Sequence, residues 1–496
     1  MSIELPEPRS LWVETAPAPD RSGHELPGEA DVVVIGAGIA GLTAAYGLAK
    51  AGKSVVVVEA AEVASGVSGN TTAKLSAQHA LKYATLTSRK GAEGATRYGR
   101  TQLDAVEWVA ATAAELGIEC GLARRDSFVY STDTSQLSKL QEEADAAASA
   151  GLPADFVEQV DLPVTTVGAV RFVDQAQFHP RKWLLGLAEH IERLGGRIVE
   201  RARAHTLDER PSPIVHTERG QIRARDVVVA THYPIFDRGL YFARLDITRD
   251  LVVAGEGDAP TGMYLDAVTH RSLRGHTEGD RRYLLVGGDH YRTGEPVDVE
   301  ARYRKLAEAA TTFGLTKATH RWSAHDMSTL DGVPYVGRYH PATHHVWVAT
   351  GFGQWGMSGG TSAGLLLTDL ITGDGHPAAG LYDPNRFDLH SSVTLAEDGV
   401  KVGKQYVTGY TRALTATPDD LAPGAAQVAR RGKDVVASYR GEDGKLRQVS
   451  ARCTHLGCVV AFNNAEKTWD CACHGSRFGT DGSVIQGPAT RPLPPV

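Results

Sequence analysis

The chain reads Asp31-Val-Val-Val-Ile-Gly-Ala-Gly-Ile-Ala-Gly41 near its start, and residues 42–50 continue as a stretch of helix-forming residues. A second apolar run, residues 54–58, ends directly at Glu59. Short apolar runs separated by a glycine-rich turn and a helix are typical of a βαβ unit with parallel strands. The stretch therefore predicts an α/β fold of the Rossmann-like kind.

The glycine spacing in this turn fits a bound dinucleotide. Gly36 makes the turn, Gly38 lets the backbone approach a pyrophosphate, and Gly41 allows close helix packing. The helix N-terminus then faces the phosphates, and Glu59 is placed to bind ribose hydroxyls. A glycine-rich loop in an unrelated α/β protein is the alternative, but here strand, helix, second strand and terminal acid follow in order. The residues predicted to contact the dinucleotide are Gly36, Ala37, Gly38, Ile39, Ala40, Gly41, Glu59 and Ala60.

Two later segments favour FAD over NAD. Residues 225–231 read as a strand that runs into a turn, and residues 347–360 read as a strand followed by a glycine-rich loop. A helix of small residues, 361–371, comes next. Such a loop permits close approach to a flat ring, and the helix N-terminus can stabilise negative charge on a reduced flavin. The residues predicted at the flavin are Gly351, Gly353, Gln354, Gly356 and Met357.

The C-terminal region carries two mixed cysteine and histidine motifs. The first is Cys453-Thr-His455-Leu-Gly-Cys and the second is Cys471-Ala-Cys-His474-Gly-Ser. Paired clusters of this shape hold a Rieske [2Fe–2S] centre, in which one iron takes two thiolates and the other takes two imidazoles. A zinc site is the alternative, but zinc sites usually place two cysteines in one motif and two histidines in another. We therefore predict Cys453, His455, Cys471 and His474 as the iron ligands.

Residues from about 30 to 390 resemble the glycine oxidase and D-amino-acid dehydrogenase (DAO-type) flavoenzymes. The block Thr329-Leu-Asp-Gly-Val-Pro-Tyr-Val-Gly337 belongs to the same pattern. With its tail, the chain resembles bacterial DAO-type oxidoreductases that carry a C-terminal Rieske domain. The resemblance implies an α/β fold: a Rossmann-like FAD domain with an interleaved mixed-sheet substrate domain, followed by an all-β Rieske domain.

The same resemblance extends to residues 65–79, which are expected to wrap the FAD. Ser65, Thr71 and Thr72 are predicted cofactor contacts in this stretch, and Lys74, Gln78 and His79 lie on it as well. For these last three residues, packing or cofactor contact is a simpler interpretation than catalysis.

The resemblance also implies a disulfide between Cys458 and Cys473, which bridges the two cluster loops in Rieske proteins of this pattern. Because disulfides are uncommon in the cytosol, a pair of shielded thiols is the alternative. Phe478 stands where quinol-oxidising Rieske proteins usually carry a tyrosine, and losing that hydroxyl donor should lower the cluster potential. Cys120 is expected to be an inert buried thiol.

The composition fits a large enzyme of two or three domains. The 496 residues are 42% hydrophobic, and the net charge of -7 gives no basic face for nucleic acid. Without a recognisable leader or a long apolar run, we expect a cytoplasmic protein that does not span a membrane. We place the oxidoreductase at residues 1–390, a connecting segment at 391–417 and the Rieske domain at 418–496, with the substrate sheet near 235–325.

The sequence indicates the substrate less clearly than it indicates the cofactors. Amino-acid oxidases of this type often carry a Gly-Leu-Arg-Pro-like segment before the Thr329 block, whereas this chain reads Trp322-Ser-Ala-His325-Asp-Met. The arginine that could anchor a substrate carboxylate is absent there. His325, Gln354 and Trp355 are candidate pocket residues, but hydride transfer to a flavin needs no protein base, so the catalytic group is left unknown.

The two ends together predict an oxidoreductase. In the preferred hypothesis, a C–N bond of an amine or amino-acid-like molecule is oxidised, and electrons pass from FAD through the cluster to an external one-electron carrier such as ferredoxin. In one alternative, a ferredoxin feeds the cluster, which reduces FAD for a reduction or an oxygen-dependent oxidation. In another, the chain is an electron carrier without turnover. The edges of His455 and His474 are the expected electron exit, or they face the flavin if the tail is a fixed relay.

Overall fold

The structure is a computed structural model that describes residues 3–386 and 420–496. The predicted connecting segment, 391–417, lies outside the described residues. Among the described helices, none is long and apolar enough to cross a membrane. The α-helices are α1 Leu11–Thr15, α2 Ile39–Lys50, α3 Tyr83–Leu116, α4 Leu137–Ser149, α5 Pro180–Arg193, α6 Val299–Thr311, α7 Gly356–Thr372 and α8 Ala379–Tyr382.

The strands alternate with these helices in the flavin part and follow one another in the tail. They are β1 Glu29–Ile35, β2 Val55–Val58, β3 Lys74–Leu75, β4 Ala123–Ser131, β5 Ala154–Val157, β6 Gly168–Gln177, β7 Arg197–Val199, β8 Ala204–Asp208, β9 Ile214–Thr217, β10 Gly220–Val229, β11 Leu245–Gly257, β12 Met263–Asp266, β13 Ser272–Glu278, β14 Arg281–Arg292, β15 Leu315–Thr329, β16 Tyr335–Arg338, β17 Val346–Thr350, β18 Ala426–Arg431, β19 Asp434–Arg440, β20 Leu446–Ser450, β21 Val460–Asn463, β22 Thr468–Cys471, β23 Arg477–Gly479 and β24 Val484–Gln486.

The first sheet is the predicted Rossmann-like layer. Its order is β16-β17-β10-β1-β2-β7, with β9 and β8 added beside β10. Strand β1 is parallel to both β2 and β10, and β10 is parallel to β17. Helices α2 and α7 pack against each other next to this sheet. The carboxyl ends of β1 and β17 therefore lie at one edge of the sheet, where ligands bind in such folds.

The second sheet is the substrate layer, in the order β15-β11-β14-β13-β12-β4-β6-β3, with β5 beside β6. It is mixed, because β12 runs parallel to β4 while the other pairs are antiparallel. Our sequence boundary of 235–325 for this sheet was too narrow, since β3 to β6 come from residues 74–177. The alanine-rich helices α3 and α4 dominate the composition between these strands, so the sequence pattern did not indicate the strands.

The tail is all-β, as predicted. Strands β18-β19-β20 form one antiparallel sheet and β21-β22-β23-β24 form a second. The predicted hairpin corresponds to β19 and β20. A separate core surrounds the buried Trp469 and Phe478 and includes the cluster-loop cysteines. Because the tail has its own core, it forms a domain in the physical sense.

Candidate active site and cluster centre

The turn between β1 and α2 has the backbone shape that the glycine pattern predicts. Gly36 has a φ of +106°, and a Cβ there would lie 2.5 Å from the carbonyl oxygen of Ala230, the residue after β10. A Cβ at Gly41 would lie 2.0 Å from the carbonyl oxygen of Gly36. Glycine is therefore required at both positions, once for the turn and once for the close contact of helix and turn. The N-cap of α2 is Gly38, which has no side-chain cap.

Glu59 lies at the end of β2 beside this turn. Its carboxylate accepts hydrogen bonds from the N–H groups of Ala37 (2.8 Å) and Ala61 (2.9 Å). Burial raises the pKa of Glu59, and the two backbone donors act in the opposite direction. These two bonds fix the carboxylate against the turn where ribose hydroxyls of a dinucleotide would lie.

A cavity of about 690 Å³ opens beside the turn and runs between the two large sheets. Its volume and its glycine-lined end fit an FAD molecule and leave room for a small substrate. The predicted cofactor residues on its wall are Gly36, Ala37, Gly38, Ile39, Ala40, Glu59, Ala60, Ser65, Thr71, Thr72, Gln354, Gly356 and Met357.

Three predicted cofactor glycines do not line this cavity. Gly41 packs behind the turn, as its contact with Gly36 shows. A Cβ at Gly351 would lie 2.4 Å from Cγ2 of Thr329, and Gly353 donates its N–H to the carbonyl oxygen of Met327 (2.8 Å). These residues shape the loop, so their expected contact with the cofactor is indirect.

Residues 65–79, which are predicted to wrap the FAD, include some residues that line the cavity and others that pack behind its wall. Lys74 lines the cavity, donates to the carbonyl oxygen of Tyr264 (2.5 Å), and has a pKa lowered to about 7 by burial. His79 lies behind the wall, bonded to the hydroxyl of Tyr98 (2.7 Å) and stacked on Trp355 with ring centroids 4.8 Å apart. Gln78 donates to the carbonyl oxygen of Val170 (2.8 Å). Packing is therefore the role of Gln78 and His79.

Two carboxyl groups on the paired strands β11 and β15 reach the cavity wall near the loop that follows β17. Gln354 has a φ of +70° and donates its side-chain amide to Oδ2 of Asp250 (2.9 Å). Asp326, on the adjacent strand, also lines the cavity. Burial raises the pKa of both carboxyl groups, and the proximity of Asp250 adds to the shift of Asp326. Neither carboxyl group has a basic partner within 4.0 Å among the described residues.

Arg249 and Glu466 are cavity residues that the sequence pattern did not reveal. Arg249 is buried on β11, donates to the hydroxyl of Ser323, and pairs with Oε2 of Glu466 at 3.5 Å. Glu466 belongs to the tail and also bonds Arg477. The tail thus closes one wall of the flavin cavity, a contact between distant parts of the chain that leaves no mark in local sequence.

The four predicted cluster ligands converge. The thiols of Cys453 and Cys471 contact each other, which lowers the pKa of Cys453 and raises that of Cys471. The rings of His455 and His474 lie with centroids 4.8 Å apart. Nδ1 of His455 and both ring nitrogens of His474 are buried without a hydrogen-bond partner among the described residues. Orphaned imidazole nitrogens are costly unless they bind a metal, so the donor set fits the cluster.

Cys458 and Cys473 form a disulfide, with their sulfur atoms 1.99 Å apart. The sulfur of Cys471 lies within 4.8 Å of both. Because the two disulfide sulfurs are bonded to each other, they are not thiolate ligands, and this trio is not a metal site of its own. Burial raises the pKa of Cys120 to about 11, which agrees with an unreactive thiol.

Both ligand histidines face the flavin part, which is the orientation expected of a fixed relay. Nε2 of His455 is bonded to Oδ1 of Asp237 (2.8 Å), and its side chain is only 4% exposed. His474 is 2% exposed and lies against Tyr233 and Phe242, with centroid distances of 6.4 and 6.1 Å. In this orientation the imidazole edges are not an exit to solvent.

These two sites define a flavoenzyme with an attached iron–sulfur domain, and comparison with known proteins agrees. Residues 31–370 match the family model "FAD dependent oxidoreductase" (DAO), and residues 412–496 match the Rieske [2Fe-2S] domain. The chain therefore belongs to the DAO family of FAD-dependent oxidoreductases and carries a Rieske domain.

Relatives cover both halves of the chain. It is 32% identical to the putative Rieske 2Fe-2S iron-sulfur protein YhfW of Bacillus subtilis, over 98% of this chain and 97% of that one. It is 25% identical to gamma-glutamylputrescine oxidoreductase of Escherichia coli, over 69% of this chain and 84% of that one. Glycine oxidase from Geobacillus kaustophilus has a similar fold, with a TM-score of 0.61 and 19% identity over 73% of this chain and all of that one.

Proposed function

We propose that the protein is a dehydrogenase for a C–N bond of a small amine, and that electrons leave FAD through the Rieske cluster to an external one-electron carrier such as ferredoxin. The observation that carries the proposal is the position of the cluster ligands. His455 and His474 are buried against the flavin part, and the Rieske domain forms part of the cavity wall. A domain held there is placed to exchange electrons with a flavin in the cavity.

Bound FAD supplies a two-electron acceptor that can release its electrons singly, and the [2Fe–2S] cluster supplies a one-electron site. The residues of the chain hold and orient these groups. The turn at Gly36 and the N-terminus of α2 offer backbone donors to a pyrophosphate, and Glu59 offers its carboxylate to ribose hydroxyls. The N-terminus of α7, at Gly356, faces the same cavity and favours negative charge there.

The charges on the cavity wall favour a cationic substrate over a carboxylate. Each cavity-lining arginine has an acidic partner: Arg9 pairs with Glu14, Arg203 with Glu218, and both Arg249 and Arg477 with Glu466. Arg477 also pairs with Asp470, so acidic groups of the chain offset the charge of all four guanidinium groups. Lys74, on the same wall, has no acidic partner within 4.0 Å among the described residues, but burial lowers its pKa to about 7 and so reduces its positive charge.

Asp250 and Asp326 differ from these paired groups. Both are cavity-lining carboxyl groups without a basic partner within 4.0 Å among the described residues, and burial raises their pKa. A bound ammonium group would supply the missing charge and lower both pKa values. The E. coli relative is named gamma-glutamylputrescine oxidoreductase, so diamines and their N-acyl derivatives are the first compounds to test.

The Rieske domain is docked at several points, which supports a fixed relay. The amide oxygen of Asn464 accepts the N–H groups of Val299 (3.0 Å) and Glu300 (3.3 Å) at the start of α6. A Cβ at Gly294 would lie 2.3 Å from the backbone nitrogen of Ala472, within the second cluster loop. A contact this close leaves no room for solvent between the second cluster loop and the flavin part at Gly294.

An anaerobic substrate screen tests the proposal. Purified protein with both cofactors is mixed with diamines, N-substituted amines, N-methylated amino acids and D-amino acids, while flavin absorbance and cluster EPR are followed. We expect an amine to reduce the flavin first and the cluster second, with oxygen a poor direct acceptor. A His474→Ala protein, which lacks the cluster, should still show flavin reduction but should not reduce ferredoxin.

Two other outcomes would decide against the proposal. If no compound reduces the flavin, whereas reduced ferredoxin reduces it through the cluster, then the electrons run in the opposite direction. If a substrate reduces the flavin but the cluster stays oxidised over many turnovers, then the cluster is not the acceptor. A matched screen with carboxylate-bearing and carboxylate-free amines separately tests the substrate preference.

A further inference from the structure

We propose that His325 is the bridge through which electrons pass between the flavin cavity and the second cluster loop. This inference rests on the proposed exchange of electrons between the two cofactors. His325 lies on β15 and is one of the residues on the cavity wall. It was a candidate for substrate contact from the sequence, but its contacts lead away from the cavity and into the Rieske domain.

The first contact is with the residue that follows a cluster ligand. A Cβ at Gly475 would lie 2.4 Å from Nε2 of His325 and 2.8 Å from its Cε1. The imidazole therefore packs directly on the backbone of Gly475, which is bonded to the ligand His474. Any other residue at position 475 would displace the ring, and the φ of +77° there also favours glycine.

The second contact fixes the orientation of the ring. The side-chain amide of Gln486, on β24 of the Rieske domain, donates to Nδ1 of His325 at 2.6 Å. The carbonyl oxygen of His325 is bonded to Nε2 of His232 (3.0 Å), another cavity residue. The ring is 1% exposed, and Nε2 has no hydrogen-bond partner among the described residues. His325 is thus clamped by one domain on each side.

A bridge of this kind works because electron tunnelling decays far more steeply across empty space than through packed or bonded atoms. The His325 ring lines the cavity and packs on the Gly475 backbone, so the part of the path that lies within the protein contains no gap. With FAD and the cluster bound, His325 would carry one electron at a time from the reduced flavin to a ferric ion of the cluster, and a proton released by the flavin would go to solvent. No bond of His325 forms or breaks.

A second path runs through the adjacent residues His232 and Tyr233. His232 lines the cavity and Tyr233 contacts the ring of His474, at a centroid distance of 6.4 Å. The step from Tyr233 crosses an edge-to-face contact between two rings, whereas the step from His325 reaches backbone that is covalently bonded to His474, so we expect the second path to contribute less. A Tyr233→Leu variant makes this path the matched comparison.

The experiment measures transfer between the two cofactors without a substrate. The holoenzyme receives single electrons from a photochemical donor under anaerobic conditions, and equilibration between flavin and cluster is followed by absorbance. We expect His325→Ala to slow equilibration by roughly tenfold, or about 1.4 kcal/mol in activation free energy. His325→Phe, which keeps a ring of similar size, should retain most of the rate, and Tyr233→Leu should change it less than His325→Ala.

EPR and potentiometry of the same proteins separate electron coupling from structural damage. The EPR g-values and the cluster potential of His325→Ala should match those of the unmodified protein. An unchanged equilibration rate in His325→Ala would overturn the bridge and leave the proposed function standing. A slow rate accompanied by altered g-values would overturn it as well, in favour of a role in cluster structure. If the unmodified protein shows no equilibration at all, the proposed function itself is wrong.

Discussion

The two cofactor sites of this chain are built in opposite ways. The flavin site is a cavity of about 690 Å³ whose wall comes from both domains. The cluster site is a closed pair of loops in which the two thiols contact each other and the two imidazole rings contact each other. The cavity wall carries two buried carboxyl groups, Asp250 and Asp326, that have no basic partner within 4.0 Å among the described residues, whereas the cluster loops carry buried imidazole nitrogens that have no hydrogen-bond partner there.

This difference shows which contacts each site needs. A large organic cofactor needs space, backbone donors and a polar end, all of which a sheet edge provides. A small cluster needs only four side-chain ligands and a shell that excludes water. The residues that join the two sites, among them His325, Asp237 and Glu466, are the places where the coupling of the sites can be altered without removing either one.

The largest expected effect is the loss of one site alone. Replacing His455 or His474 by alanine removes an iron ligand, so we expect complete loss of the Rieske EPR signal and of acid-labile sulfide. FAD should remain bound in stoichiometric amount, because its predicted binding residues lie in the other domain. Iron, sulfide and flavin analyses of the same preparation check this result. Loss of both cofactors together would show that the sites depend on each other.

The next largest effect concerns the docking of the domains. Glu466 bonds Arg249 and Arg477, which overcome the effect of burial and lower its pKa to about 2. Breaking this buried pair with Glu466→Gln should cost about 3 kcal/mol of stability, measured by denaturant unfolding with cluster absorbance as the probe. The control Glu107→Gln removes a surface pair with Arg124 and should cost less than about 1 kcal/mol.

The pH dependence of this docking follows from the depressed pKa. The ionised Glu466 contributes its stabilisation above the pKa of an unfolded glutamate, near 4.5, and the contribution is lost as the pH falls toward about 2. The free energies of unfolding of the unmodified protein and Glu466→Gln should therefore converge as the pH is lowered between these two values. A difference that stays constant with pH would mean that the carboxylate charge does not hold the domains together.

A smaller effect is expected on substrate binding. Asp326→Asn should weaken binding of a cationic amine by about 1.5–3 kcal/mol, the range for a hydrogen bond to a charged group. Because burial raises the pKa of Asp326, the unmodified protein should also bind the amine less tightly as the pH falls through that raised value. Anaerobic titration of the flavin spectrum measures both. The exposed Asp258→Asn serves as control, and equal affinity in all three proteins would exclude Asp326 from the binding site.

The smallest effect is a change in cluster potential. Asp237→Asn keeps a hydrogen-bond acceptor for His455 but removes a negative charge beside the ligand. Less negative charge favours the reduced cluster, so the potential should rise by tens of millivolts, on the order of 1 kcal/mol. EPR-monitored redox titration checks the shift, with the exposed Asp443→Asn as control. A fall in potential would mean that the hydrogen bond matters more than the charge.

Most of the residues that local sequence predicted for each cofactor site come together in the structure. The turn at Gly36 and the loop ligands such as Cys453 are encoded by short spacings, because neighbouring residues must shape one tight turn or one loop. The boundaries of the substrate sheet were harder to place. Strands β3 to β6 lie among alanine-rich helices, and their pairing partners are distant in the chain.

The sequence by itself determined the two cofactors, the α/β class of the flavin part and the all-β tail, because these depend on residue types at fixed short separations. Only the tertiary structure decided that Glu466 closes the cavity of the other domain, that His455 meets Asp237, and that His325 packs on Gly475. Two hydrogen bonds between the domains show the distances involved. Ser323 and Glu466 are 143 residues apart in the chain, and Asp237 and His455 are 218 residues apart. No periodicity or spacing encodes such contacts, since they arise only when two separately folded cores meet.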